Sequence, residues 1–212
     1  LHFNSCYVRK LSPKLSFGNE RGGFLTSMIL KIFLWACFVC ILAFSLQKQL
    51  SPHVVSFEQA IFIPGHSKLD VYEYFKDVET SMKSIQNGNT VSDVIYIPGN
   101  GGEPDKIKFN RLEKFFIPGF YEQILESPCL AKLFPNIPKI QLDINLLEGL
   151  TYGTVNIIFR DGSQNGQTGT VVTEYFEIIT PYFFAKFVGE NTKTTHRIFL
   201  QNSQRYFQNK ET

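Results

Sequence analysis

The sequence predicts an α+β fold: one strand leading into a helix, a less regular middle, three antiparallel strands, and a long closing helix, all preceded by one hydrophobic helix. Three observations carry this. Apolar and other residues alternate with period two over Val55–Ile63 until Pro64-Gly65 interrupts them. The same alternation returns after Lys139, and no proline follows Pro181 in a stretch with helical apolar spacing.

In the first strand Val55, Phe57, Gln59, Ile61 and Ile63 share one face, opposite Ser56, Glu58, Ala60 and Phe62. Ser67 then sits three residues before Asp70, as a helix start does, with an acid placed near the amide-rich end. Val71, Tyr74, Phe75, Val78, Met82 and Ile85 fall on one face of a single helix that Asn87-Gly88-Asn89 ends. Val91–Ile97 and Lys106–Phe116 read as strands on either side of a glycine-rich loop, whereas Tyr121–Phe134 reads as a short helix carrying Ile124, Leu125, Leu130 and Leu133 and broken by Pro128.

From Lys139 onward Ile140, Leu142, Ile144 and Leu146 alternate with Lys139, Gln141, Asp143 and Asn145, which describes a half-buried strand. Leu150–Arg160 and Thr170–Thr180 form two more, joined across the polar, glycine-rich 161–169 as an antiparallel hairpin with a loop. After Pro181, the residues Phe184, Phe187, Val188, Asn191, Thr195, Ile198, Phe199, Asn202 and Tyr206 recur at helical spacing, with Gly189 the one weak joint.

Composition bounds the possibilities. Of 212 residues, 43% are hydrophobic and 19% charged, and 21 are Phe, which is ample material for one domain with its own core. Residues 1–46 hold five Lys/Arg against the single acid Glu20, while 47–212 hold sixteen against eighteen acids. The body therefore lacks the basic stripe interleaved with aromatics that nucleic acid requires, and nucleic acid is not an expected partner.

Residues 28–46 are an almost unbroken apolar segment, MILKIFLWACFVCILAFSL. The part from Ile32 to Leu46 spans about 22 Å as a helix, against ~30 Å for the hydrocarbon core, a gap that tilt or a snorkelling Lys31 closes. Met28 with Lys31 and the apolar run also resembles a signal-peptide start, with Ala43-x-Ser45 as a small-residue cleavage site. Both a retained anchor and a cleaved signal fit. In either case the basic amino-terminal side is expected to stay cytoplasmic, with the body lumenal or extracellular, or secreted after cleavage. Residues 1–27 are then an unfolded tail or untranslated-region read-through, 47–53 a linker, and 54–210 the folded domain.

Cys37 and Cys40 spell C-x-x-C inside the apolar run, where a thiolate is poorly solvated, and only Cys129 lies in the body. No disulfide can form within the body, and no metal site or cofactor is expected. The glycine runs at 99–102 and 162–169 lack the lysine and the helix that a phosphate cradle needs.

The opening Ile61–Asp77, with Val71, Tyr72, Tyr74, Phe75 and Asp77, resembles the strand–Pro–helix opening of the START-like, polyketide cyclase/dehydrase superfamily. The closing Gly169–Ile179, Pro181, and a long helix with His196 and Arg205-Tyr206-Phe207 are similar to that family's last strand and terminal helix. The likeness covers residues 54–210, and the middle from Phe115 to Pro138 departs from the family's run of strands. The resemblance implies a helix-grip fold, a curved antiparallel sheet wrapped around the terminal helix with an apolar cavity between them.

The resemblance also implies that the cavity binds a lipid or other hydrophobic small molecule. Candidate ligand-binding residues are Leu142, Ile144 and Leu146, then Val155, Ile157 and Phe159, with Phe184, Phe187, Val188 and Ile198 from the helix. Packing as core is the commoner role of any one such inward residue. An alternative is a cyclase/dehydrase-type enzyme working through inward polar groups among Tyr152, Arg160, Glu174, Tyr175 and His196. A third reading is a structural lumenal domain with a solid interior.

Overall fold

Alternation with period two turns most of the body into strand. The computed structural model describes residues 20–83, 90–117, 121–146 and 149–210. The chain divides into two units, residues 1–47 and 48–212. Helix α1 (Glu20–Leu50) supplies the first. Its apolar side chains Phe33, Trp35, Ile41 and Phe44 are exposed, and its stretch Phe33–Leu50 is long and apolar enough to cross a membrane. The polar residues read as a linker are helix as far as Leu50, and strand begins at Pro52.

The body follows in the order β1 (Pro52–Pro64), α2 (Lys68–Lys76), α3 (Val78–Met82), β2 (Thr90–Ile97), β3 (Asp105–Ile117), β4 (Tyr121–Phe134), β5 (Lys139–Leu146), β6 (Thr151–Gln164), β7 (Gln167–Pro181) and α4 (Tyr182–Lys210). Seven strands form one curved, open sheet in the order β1-β7-β6-β5-β4-β3-β2, and every pairing is antiparallel.

Three local expectations are corrected. The segment 121–134 is strand β4, not a helix: Ser127, Cys129, Ala131 and Leu133 point into the core with period two. Strand β5 pairs with β4 only from Cys129 onward. Pro128 therefore lies just before the paired stretch, and its missing N–H breaks no bond to β5. The supposed loop 161–169 is mostly paired strand, with Gln164 opposite Gln167 and only Asn165-Gly166 turning. Both turn residues have positive φ, 52° and 80°, the two-residue hairpin geometry that Asn-Gly favours.

The single helix expected over 67–85 is two helices. Asp77 ends α2 by donating its N–H to the Glu73 carbonyl, then caps α3 by accepting from the Thr80 amide at 3.1 Å. Ile85 and the stop signal Asn87-Gly88-Asn89 lie outside the described residues. The Thr80 hydroxyl and amide hold the Asp77 carboxyl below its ordinary value of 3.8. A depressed carboxylate stabilises the fold above its unfolded pKa and loses that contribution as pH falls through the folded one. Asp77→Ala is accordingly expected to cost about 1 kcal/mol at neutral pH and almost nothing near pH 2. Denaturant melts of both chains at the two pH values measure this.

Helix α4 lies along β1 and β7. Gly189 lets it approach closely, since a Cβ there would sit 3.0 Å from Val55 Cγ1. Gln204 Nε2 donates to the Phe62 carbonyl at 2.7 Å, and Gln59 Nε2 donates to the Lys193 carbonyl at 3.0 Å, so α4 also reaches the free side of β1. At the other margin of the sheet, β2 slips register between Ser92 and Ile95, with Asp93 at φ 54°.

Candidate functional site

Residue size along β6 decides where the interior is solid and where it is hollow. Inward positions run Thr151, Gly153, Val155, Ile157, Phe159, smallest at Gly153 and growing from there to Phe159. At the large end Phe159 meets Tyr72 and Phe75 edge to face, with centroids 5.7 and 5.3 Å away, and Phe75 packs on Phe199 at 5.3 Å. This aromatic cluster, brought in by α2 and α4, fills one half of the cup.

At the small end nothing fills the space over Gly153, where a Cβ would meet only Ile178 Cγ1 at 3.8 Å. A hollow of about 90 Å³ results, bounded by β5, β6 and β7 on one side and α4 on the other. Its walls are mainly apolar: Ile144, Leu146, Val155, Phe176 and Ile178 from the sheet, and Phe184, Phe187 and Val188 from the helix. Phe184 and Phe187 stack on each other at 5.1 Å, and Phe187 is 44% exposed, so the pair forms the half-open rim.

Polar groups enter at defined points. Arg111 of β3 and His196 of α4 are buried and line the hollow. Thr151 also lines it, with its hydroxyl 2.9 Å from that of Thr180. Behind His196 lies Glu174, fully buried on β7, with Oε1 3.4 Å from His196 Nδ1. The rings of Phe176 and Phe199 flank the imidazole at 4.6 and 6.1 Å. Among the described residues no cluster of His, Cys, Asp and Glu could hold a metal ion.

Among solved structures, TTHA0849 from Thermus thermophilus is 14% identical, with a TM-score of 0.52 over 74% of this chain and 100% of that one. The Zhui aromatase/cyclase from Streptomyces sp. R1128 is 14% identical, with a TM-score of 0.51 over 76% of this chain and 97% of its own. The fold is a helix grip, shared with these structures. The di-domain ARO/CYC StfQ of the steffimycin biosynthetic pathway shares the grip at 14% identity and a TM-score of 0.50, matching 74% of this chain and 52% of that one. No protein-family model and no curated protein matches the sequence. At such identities the likeness is one of fold.

Within the grip, the candidate ligand residues separate into two groups. Ile144, Leu146, Val155, Phe184, Phe187 and Val188 line the hollow. Leu142, Ile157 and Phe159 belong to the packed core, and Ile198 is half-buried on α4 outside the lining. Of the polar candidates, Glu174 and His196 face inward and meet. Tyr152 and Arg160 are exposed and Tyr175 is half-buried, all three on the outward side of their strands.

Sequence reasoning missed Arg111, Phe176, Ile178 and above all Gly153. The signal was present in Thr151-Tyr152-Gly153-Thr154-Val155, where a glycine falls between two small inward positions of an otherwise bulky strand. The Glu174–His196 contact had no such signal, because strand and helix residues 22 apart meet only through the grip itself.

Proposed function

We propose that this chain binds a small hydrophobic molecule in the hollow between its sheet and α4, and that the apolar amino-terminal segment tethers the body to a membrane or exports it. The open space over Gly153, walled by aliphatic and aromatic side chains, is the observation that carries this reading. Apolar ligands gain about 25 cal/mol per Å² on leaving water for such a wall. About 90 Å³ is far less than the ~300 Å³ of a typical ligand pocket. A lipid-sized guest therefore has to displace the rim, and Phe184 and Phe187 are the side chains placed to move.

Gly153→Leu tests this directly. The new side chain fills the hollow, and the strand loses a flexible residue. Stability is expected to hold or rise by about 0.5–1 kcal/mol. Hydrophobic molecules co-purifying with the full chain, extracted and identified by mass spectrometry, should be present at a stoichiometric level in the parent and absent from the variant. An equal yield from both would place the bound molecule elsewhere. Protease protection of the chain in sealed microsomes tests the membrane side, a protected body being expected from the basic amino-terminal flank.

The second reading, a cyclase/dehydrase-type enzyme, is favoured by one observation: the His196–Glu174 contact at 3.4 Å, with the imidazole on the wall of the hollow. An imidazole oriented by a carboxylate is the usual arrangement of a general base.

A further inference from the structure

The inner wall of the hollow is built in two layers. His196 lines it, while Glu174 stands behind the ring and outside the lining. Nδ1 of His196 lies 3.4 Å from Oε1 and 3.3 Å from Oε2 of the carboxylate. Glu174 is 0% exposed, and its Oε2, although within ion-pair reach of Nδ1, has no aligned hydrogen-bond partner among the described residues. A carboxylate taken this deep with one imidazole for company costs more than two apolar side chains in the same place. Such a pair on the wall of a hollow is a candidate for a task other than packing.

Counting protons defines that task. With one proton between the two side chains, Nδ1–H points at the carboxylate and Nε2, on the far side of the ring, is a bare acceptor. A second proton makes Nε2 a donor. A guest with an O–H can supply that proton: its hydroxyl hydrogen moves to Nε2, and its oxygen, now negative, accepts the N–H bond in return. The Arg111 guanidinium on the same wall adds positive charge that favours the oxyanion.

We infer that the Glu174–His196 pair anchors an apolar guest carrying one weakly acidic hydroxyl, a phenol or an enol. A carboxylic acid meets the same Arg111 charge but arrives ionised at neutral pH, with no proton to give Nε2, and faces the Glu174 carboxylate behind the ring. Guests without a hydroxyl leave Nε2 buried and unpaired. The inference rests on the hollow being the binding site and adds the chemistry of the guest's inner end. A ring entering about 90 Å³, where ~150 Å³ takes benzene, seats its hydroxyl at His196 and moves the Phe184–Phe187 rim.

The test compares 4-nitrophenol with nitrobenzene by equilibrium dialysis against the full chain in lipid nanodiscs, with empty nanodiscs as baseline. Nitrophenol should bind at least about tenfold more tightly than nitrobenzene. The bound fraction should show the nitrophenolate absorption band at a pH where the free compound is still protonated. His196→Gln should abolish both the preference and the band. Equal affinities, or a preference that survives His196→Gln, overturns the anchor but not the hollow. Binding of neither compound overturns the hollow and the anchor with it. Should the variant fail to fold, the band in the parent chain decides alone.

Discussion

Phe159→Ala should destabilise the body by about 3–5 kcal/mol while leaving the walls of the hollow as they are. The side chain is 3% exposed and stands edge-on between Tyr72 and Phe75, so its removal opens a void that rigid aromatic neighbours on α2 cannot close. Phe187→Ala reverses the pattern. At 44% exposure it should cost well under about 1 kcal/mol, yet it removes half of the stacked rim and should weaken retention of any hydrophobic guest. Measured on the same two proteins, the denaturant midpoint should fall mainly in Phe159→Ala and ligand recovery mainly in Phe187→Ala. A large loss of stability in Phe187→Ala, or of bound guest in Phe159→Ala without unfolding, would show that the boundary between core and hollow has been misplaced.

His196→Leu should cost about 3–5 kcal/mol, because it removes the side chain that meets the buried Glu174 carboxylate among the described residues. The double replacement Glu174→Leu/His196→Leu should recover most of that loss and come within about 1 kcal/mol of the parent. A double-mutant cycle from unfolding free energies measures the coupling. Additive costs, with the double variant worse than either single one, would mean that the two side chains act separately and would remove the physical argument for a paired anchor. Recovery of stability without recovery of hydroxyl-dependent binding would separate what the pair does for a guest from what it does for the fold.

The parts of the fold that were legible in the sequence are those where side-chain size exaggerates the period. Ile140, Leu142 and Ile144 announce β5 because bulky residues face one way and polar ones the other. In β4 the inward residues Ser127, Cys129 and Ala131 are small, so the alternation is muted, while Leu130 and Leu133 happen to match a helical spacing. The hairpin beyond Arg160 reads as loop because it projects past the core with both faces exposed, so no apolar residue marks its inner side. Helix α4 is legible, but its buried face is rotated from the one expected, with Ala185, Gly189, His196 and Ser203 turned inward and Phe187 at the exposed rim of the hollow. Small and polar residues face inward there because β1 comes too close for larger ones and because the Glu174 carboxylate needs a partner. Neither cause is local in sequence.

An open sheet leaves two strands with unpaired backbone, and each is an invitation for another polypeptide to add itself to the ladder. Here α4 lies against one margin, where Gln204 takes the Phe62 carbonyl, and the other is bent out of line at Asp93. Neither offers a straight, naked template. The protein can therefore keep a wide, cup-shaped sheet open without offering its rims as seeds for fibrous assembly, even where many copies are crowded together.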